Sequence, residues 1–372
     1  MKLKPIYLVS ILLALVLAVA PLALPAAEES TRPTEDVAVM APTAPTTPAE
    51  SGKEAPTEGV TEISTEPATE APTEPQPTVY TLSFVGDCTL GCTEENRLLE
   101  TSFASVVGEN YDYPLANVRH IFEADDFTLA NLEGPLTEGG IPMEKDFAFR
   151  GAPAYTAILS GASVEAVSNS NNHYYDYGEE GMRSTREALD AAGIAHAWRD
   201  SFLYTTDSGL TIGVYCDDFS FEREHMETSF AALREQGAEV IVCAFHWGEE
   251  REYAPDLDQT TWGHIAIDSG ADVVEGHHPH VLQPIEYYGG GVICYSLGNF
   301  CYGGSSSPTD KDTAIVQQQF VRQDNGTLAM GQTIIIPCSV SSVEERNNYQ
   351  PTPMAEGSDA YQRVLEKLTF TE

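Results

Sequence analysis

From residue 79 onward the apolar residues fall into two kinds of short run. Runs rich in β-branched and aromatic residues predict strands over residues 79–85, 127–130, 164–168, 211–215, 240–245 and 273–275. Between them apolar positions recur at helical spacing, which predicts helices over 114–124, 154–160, 179–192, 221–235 and 257–269. Strands alternating with helices imply βαβ units and a largely parallel sheet. After Pro284 the pattern changes, because residues 285–288, 292–295, 313–321 and 328–336 read as consecutive strands joined by glycine turns (Gly289-Gly290-Gly291) or by Asn325-Gly326. This is the signature of an antiparallel section. A last helix is expected near 360–368. The pattern as a whole predicts a mixed α/β layered sandwich over about residues 79–340, with residues 341–372 as a C-terminal extension.

Ahead of that body the pattern is absent. Residues 1–27 place Lys2 and Lys4 before an apolar run from Ile6 to Leu24 and end in small residues at Ala26-Ala27, the form of an export signal. The run is near the length of a membrane span, so it reads as a signal peptide or as a retained signal anchor. No Cys precedes Cys88, so a lipoprotein cleavage site is absent. Residues 28–78 are Pro, Thr, Glu and Ala, with Ala55-Pro56-Thr57-Glu58 recurring as Ala71-Pro72-Thr73-Glu74. Such a segment buries too little apolar surface to offset its ordering entropy and is expected to be a disordered tether. The expected location is extracytoplasmic, with the body secreted or held at the outer face of the cell membrane by the N-terminal segment.

Charge narrows the partners. The chain carries 19 Lys plus Arg against 57 Asp plus Glu, a formal net charge of -38. A surface so negative repels nucleic acid at long range, and no nucleic-acid partner is expected. Seven cysteines are too few for a disulfide scaffold and form no CxxC pair, so a structural zinc site has no support. Cys88 with Cys92, or Cys294 with Cys301, are spacings that allow a disulfide, while Cys216 and Cys243 sit inside apolar runs as core residues.

The unusual polar residues cluster where predicted strands end. Asp87 follows Gly86; Asn131-Leu132-Glu133 and Asn169 to His173 follow the next two strands, with Asp176 just beyond; His246-Trp247-Gly248-Glu249-Glu250, His277-His278-Pro279-His280 and Ser296 to Asn299 follow later ones. In open α/β sheets ligands bind at these carboxyl ends, and the six ends are expected along one sheet edge. His is only 9 of 372 residues, so three in the four positions 277–280 is a strong signal. Carboxylates and neutral imidazoles suit Zn, Mn or Fe, and a bridging carboxylate can hold two such ions. Asp176, three residues after His173, is placed to orient that ring, and His173 to serve a leaving group. No GxSxG, Walker, HExxH or GxGxxG motif competes.

Read together, Gly86-Asp87, Asn131-Leu132-Glu133, Asn171-Asn172-His173 with Asp176-Tyr177-Gly178, His246-Trp247-Gly248, Gly270-Ala271-Asp272, Gly276 to His280 and Tyr295 to Phe300 resemble the CapA capsule-synthesis family of poly-γ-glutamate biosynthesis. The likeness runs in order over about residues 80–299. That family is itself similar to calcineurin-like metallophosphoesterases, which implies an α/β fold of four-layer α/β/β/α type, metallophosphatase-like, with antiparallel C-terminal strands. It implies metal-ligand roles for Asp87, Glu133, Asn172, His246, His278 and His280, with one or two divalent ions as cofactors. His173 and Asp176 are then the catalytic pair, and Asn131, His277, Glu250 and Asn299 the substrate-binding residues. Two positions depart from the phosphoesterase pattern: Asp-x-His is Asp87-Cys88-Thr89 here, and Gly-Asp is Asn131-Leu132-Glu133. The function implied is a metal-dependent hydrolase or transferase acting on a cell-surface polymer such as poly-γ-glutamate. The alternatives are an assembly or tethering subunit beside membrane synthase subunits, and a metallophosphoesterase.

Overall fold

The computed structural model describes residues 77–370; the expected export signal and all but the last two residues of the expected tether lie outside the described residues. Fifteen strands form in chain order: β1 (Val79–Cys88), β2 (Cys92–Thr93), β3 (Phe127–Leu132), β4 (Phe149–Arg150), β5 (Ala166–Ser168), β6 (Ala195–Ala197), β7 (Asp200–Thr205), β8 (Thr211–Asp218), β9 (Val240–His246), β10 (Val273–His277), β11 (Leu282–Tyr288), β12 (Gly291–Leu297), β13 (Asp312–Arg322), β14 (Leu328–Ser339) and β15 (Thr352–Pro353). The helices are α1 (Phe103–Val107), α2 (Arg119–Phe122), α3 (Thr156–Ser160), α4 (Gly178–Ala192), α5 (Arg223–Glu235), α6 (Leu257–Asp268) and α7 (Asp359–Leu368).

Two large sheets result. One runs β15-β14-β13-β1-β3-β5-β6 and the other β11-β12-β10-β9-β8-β7, while β2 and β4 make a small separate ribbon. In the first, β1, β3, β5 and β6 are parallel and β13 to β15 antiparallel; in the second, β8, β9, β10 and β12 are parallel, with β7 and β11 antiparallel at its edges.

Period-two side-chain alternation decides how the layers stack. Along β9, Val240, Val242 and Ala244 enter the apolar cluster between the two sheets, whereas Ile241, Cys243 and Phe245 join Met226, Phe230, Leu233, Ala266 and Ile267 of α5 and α6. Along β1, Leu82 and Phe84 face the inter-sheet cluster and Val85 faces residues of α1 to α4. Three apolar clusters fill three interlayer spaces, so the fold is a four-layer α/β/β/α sandwich. Each fully buried Val, Leu, Ile or Phe contributes about 1.5–3 kcal/mol to holding the layers together. Beyond residue 340 the chain stays with this body: β15 pairs with β14, and Val364 and Leu368 of α7 insert into the inter-sheet cluster.

Three expectations change. The four C-terminal strands do not make one antiparallel section; the β11–β12 and β13–β14 hairpins belong to different sheets, and β12 pairs parallel with β10. The chain changes sheet after Leu297, where Asp87 and Asn299 form a parallel bridge and the Asp87 N–H donates to Gly298 O at 2.8 Å. The cysteines do not pair: all seven are free and buried, and Cys294 faces the inter-sheet cluster while Cys301 faces the helical layer of the other sheet. Finally α1, β6 and β7 form where no element was expected, and the helix expected over 114–124 shortens to one turn, α2. No helix among the described residues is long and apolar enough to cross a membrane.

Candidate metal centre

Six strand ends meet at one end of the sandwich, three from each sheet rather than along one sheet edge. β1, β3 and β5 bring Asp87, Glu133 and the 169–173 turn; β9, β10 and β12 bring His246, the 277–280 turn and Asn299. Gly86 permits the join, because a Cβ there would lie 2.0 Å from Gly298 O, closer than any side chain tolerates. The site therefore straddles the seam between sheets, where two sets of strand ends face each other.

At the centre stand Asp87, Glu133 and His280, with ligand-type atoms all within 4.8 Å of one another. His280 Nδ1 is 3.0 Å from Asp87 Oδ2, and its Nε2 is 3.7 Å from Glu133 Oε1. The same Glu133 oxygen lies 3.9 Å from His246 Nε2, which is 2.9 Å from Asn172 Oδ1. His278 packs beside this group, its ring centroid 4.8 Å from that of His246. Glu133 thus lies between an Asp87/His280 cluster and an Asn172/His246/His278 cluster.

The fit to divalent metal rests on what these atoms lack. Glu133 Oε1, His246 Nδ1 and His278 Nδ1 are buried without a hydrogen-bond partner among the described residues. Burying such groups unpaired costs about 1–3 kcal/mol each, more for a charged one. An oxygen and imidazole donor set of this kind is what Zn, Mn or Fe ligation uses. Electrostatics agree: burial pushes the His280 ring down, but Glu133 and Asp87 outweigh it and hold the imidazole up at about 10, so this spot draws positive charge. Burial and the neighbouring His280 push His278 down to about 4, and burial pushes His246 well below its ordinary value, leaving both as neutral imidazoles with lone pairs. Asp87 is buried, which favours its neutral form, yet the imidazoles of His277 and His280 beside it hold its carboxyl well below the usual carboxylate range.

A layer of supporting groups holds the cluster. Asn131, fully buried, donates to Asp87 Oδ1 at 2.9 Å, and Asn171 donates to Asn131 Oδ1 at 3.0 Å and to Leu132 O at 2.9 Å. His277 sits behind Asp87, Nδ1 3.2 Å from its Oδ1 and Nε2 3.3 Å from Glu275 Oε1. Asn131 and His277 are thus placed against Asp87 and away from solvent. Thr89, at the position of the missing histidine of the phosphoesterase pattern, donates to Glu133 Oε2 at 3.0 Å. Backbone strain concentrates here too: of seven non-glycine residues with positive φ among the described residues, Phe219, Arg251, His278 and His280 lie around the centre.

A cavity of about 350 Å³ opens in front of the cluster, within the usual size of a small-ligand site. His173, His280, Glu250, Arg251, Asn299 and Tyr302 are among its walls. His173 Nδ1 lies 2.7 Å from Asp176 Oδ2, the Phe149 N–H donates to that same oxygen at 2.7 Å, and Lys145 Nζ donates to Asp176 Oδ1 at 2.7 Å. Every expected site residue is therefore near this end of the sandwich: the metal set converges, His173 with Asp176 borders the cavity, Glu250 and Asn299 line it, and Asn131 and His277 lie behind. Lys145, Thr89, Asn171 and Glu275 were not assigned roles from sequence. Lys145 stands in a loop without periodicity, and the scarcity of cations was its one signal.

Comparison with known proteins gives the same neighbourhood. The family model for "Bacterial capsule synthesis protein PGA_cap" matches residues 81–198 and 204–303. The chain is 28% identical over 316 residues to the PGA biosynthesis protein CapA of Bacillus subtilis, covering 78% of each. It is 26% identical over 288 residues to the capsule biosynthesis protein CapA of Bacillus anthracis, covering 69% of this chain and 67% of that one. Among solved structures it is similar to the NAD nucleotidase of Haemophilus influenzae, at 12% identity and a TM-score of 0.41, covering 78% of this chain and 62% of that one. Because the match takes in β1, β3, β9, β10 and β12 and every strand end that carries a ligand-type residue, this chain belongs to the bacterial capsule synthesis protein family.

Proposed function

We propose that the chain is an extracytoplasmic, metal-dependent hydrolase or transferase acting on a poly-γ-glutamate-type capsule polymer. The observation that carries this is Glu133 Oε1, buried without a hydrogen-bond partner among the described residues between His246 and His280, the second of which lines a cavity that His173 also borders. Asp87, Glu133 and His280 would hold one divalent ion, and Glu133 with Asn172, His246 and His278 a second. When bound, such ions supply Lewis acidity and lower the pKa of water toward 7.

The chain's own groups do the rest. Asp176 accepts from His173 Nδ1, which fixes the tautomer and leaves Nε2 to give a proton to the leaving group or take one from an attacking group. Asn171 Oδ1 accepts the His173 backbone N–H at 3.2 Å, so the catalytic turn is tied through Asn131 to Asp87. Phe147 and Phe149 give the cavity an apolar wall. Export and the acidic tether, read from residues 1–78, would place the body at the cell surface where such a polymer is made.

Metal analysis of the purified chain, followed by assay on poly-γ-glutamate and on a generic phosphodiester, tests the proposal. The expected result is bound divalent metal and polymer turnover that is lost in His280→Ala together with metal, and lost in His173→Ala with metal retained. Polymer processing left intact in both variants would overturn the enzyme reading in favour of an assembly subunit. Turnover of the phosphodiester alone would overturn the substrate.

A further inference from the structure

The acidity of this chain raises a difficulty for its own proposed substrate. A protein of formal net charge -38 repels a polycarboxylate at long range, so contact requires a local positive group within the binding groove. The groove holds one. Arg251 lines the cavity beside His280 and Asn299, and its guanidinium forms no ion pair among the described residues. Other cations near this end are committed: Lys145 is bound to Asp176, Arg150 to Glu94 at 2.7 Å, and Lys367 to Asp310 and Asp312.

Arg251 is also held in place by its backbone. Its φ of 67° lies in the left-handed region that ordinary side chains rarely adopt, and its N–H donates to Pro279 O at 2.8 Å. Pro279 lies between His278 and His280, so the arginine is anchored on the turn that carries two metal-ligand candidates. The cavity lining also carries hydroxyl groups, Ser305, Ser307 and Thr309, and an acid, Asp310, already paired with Lys367 Nζ at 2.6 Å and accepting from the Tyr253 hydroxyl at 2.9 Å. Glu250 is the remaining acid of the lining, next to Arg251 in the chain.

Resting on the reading of the substrate as a glutamyl polymer, we infer that Arg251 is the specificity residue of the groove. It holds a free carboxylate of the bound chain through paired N–H donors while an adjacent linkage lies over the Asp87/Glu133/His280 cluster. A guanidinium presents a planar fork that matches a carboxylate, and charge-assisted bonds of this kind are about twice as strong as neutral ones.

The test measures binding of three probes to the full chain in a His173→Ala background: a short γ-linked glutamate oligomer, its fully amidated counterpart and a glycerol-phosphate oligomer. Arg251→Ala is expected to weaken the glutamate oligomer by about 10-fold to 100-fold, Arg251→Lys by less, and neither to alter the amidated oligomer or the metal content. Equal binding by parent and Arg251→Ala, or equal loss for charged and amidated oligomers, overturns the inference while leaving the proposed function standing. Preference of the parent for glycerol phosphate overturns both the carboxylate assignment and the polymer identity. Failure of the metal and His173 variants to affect turnover, with the Arg251 effect intact, instead removes the enzyme reading alone.

Discussion

On the proposed function, Asp176 joins stability to chemistry in one carboxylate, and its replacement separates the two. The side chain is 1% exposed and receives three donors: the Phe149 N–H and His173 Nδ1 on Oδ2, and Lys145 Nζ on Oδ1, each at 2.7 Å. In Asp176→Ala the Phe149 N–H, in a buried strand, loses its acceptor, which costs about 1–3 kcal/mol. The bond to Lys145 adds about 1 kcal/mol or less, since the lysine side chain is 29% exposed and solvent screens it. The sum, about 1–4 kcal/mol, corresponds to a fall in Tm of about 2–7 °C in a body of this size. Asp176→Asn offers one acceptor atom to three donors and carries no charge, so it is expected to lie between wild type and Asp176→Ala in Tm. Its turnover should fall by about 100-fold to 10,000-fold, as when a general acid loses the partner that fixes its tautomer. Lys145→Ala is the control, removing the exposed partner and leaving Asp176 on His173. Calorimetry and polymer turnover on the same preparations give both readouts. If Asp176→Asn keeps wild-type turnover while losing Tm, His173 does not act through Asp176 and the catalytic assignment is refuted.

Other parts of the fold yield shorter tests. Asp87→Ala and His280→Ala should each lower divalent-metal content, read by elemental analysis, while Asn131→Ala should lower metal affinity by about 10-fold to 100-fold through loss of its support to Asp87; unchanged content in all three would refute the site. Gly86→Ala should destabilise the body or prevent soluble expression, because its methyl would meet Gly298 O at 2.0 Å; a wild-type melting curve would show that the seam is not this tight. Thiol labelling of the native protein should modify none of the seven buried cysteines and labelling after unfolding all seven, whereas any disulfide in the intact mass would contradict the structure. Asp125 and Glu165, both raised to about 7 by burial, bind protons in the folded state that the unfolded chain has released, so their contribution to stability is full below about pH 4 and is lost as pH rises through 7. The stability of wild type relative to Asp125→Asn/Glu165→Gln should therefore decline from pH 4 to 7, and a difference that rises over that range would refute the sign.

Strand interiors were legible in sequence because a strand buried on both faces is an unbroken apolar run. Their ends were not, and the reason is the site itself. β1, β3, β9 and β10 each continue beyond the expected boundary into Asp87, Asn131, His246 and His277, where a hydropathy pattern stops. Ladder hydrogen bonds continue regardless of side-chain polarity, so the backbone carries these residues to their places as parts of strands rather than as loop residues. The short elements β6 and α1 lacked a pattern long enough to read, and β7 is an edge strand with little fully buried surface. Sheet membership of the C-terminal hairpins was also hidden, because Gly289-Gly290 and Asn325-Gly326 announce a turn without stating which sheet receives it.

The candidate ligands were legible for the opposite reason: histidine and carboxylate at the end of an apolar run are locally anomalous. Their supports were not, since Thr89, Asn171 and Lys145 are ordinary residues until distance is known. Glu275 marks the limit. It lies mid-strand in β10, fully buried, facing the apolar space between the sheets, with no polar contact closer than His277 at 3.3 Å. In sequence it is one acid after Val273-Val274, indistinguishable from a surface residue at a strand end. Burial pushes its carboxyl up, while His277, drawn toward both Glu275 and Asp87, is held at about 9 despite its own burial. A carboxylate in such a place destabilises the core unless it is paired, and the polar group nearest to it is the imidazole beside Asp87. Glu275 thus stands 3.3 Å from a ring that lies behind the candidate ligands, a relation written in three dimensions across β10 and β1 and in no local stretch of the chain.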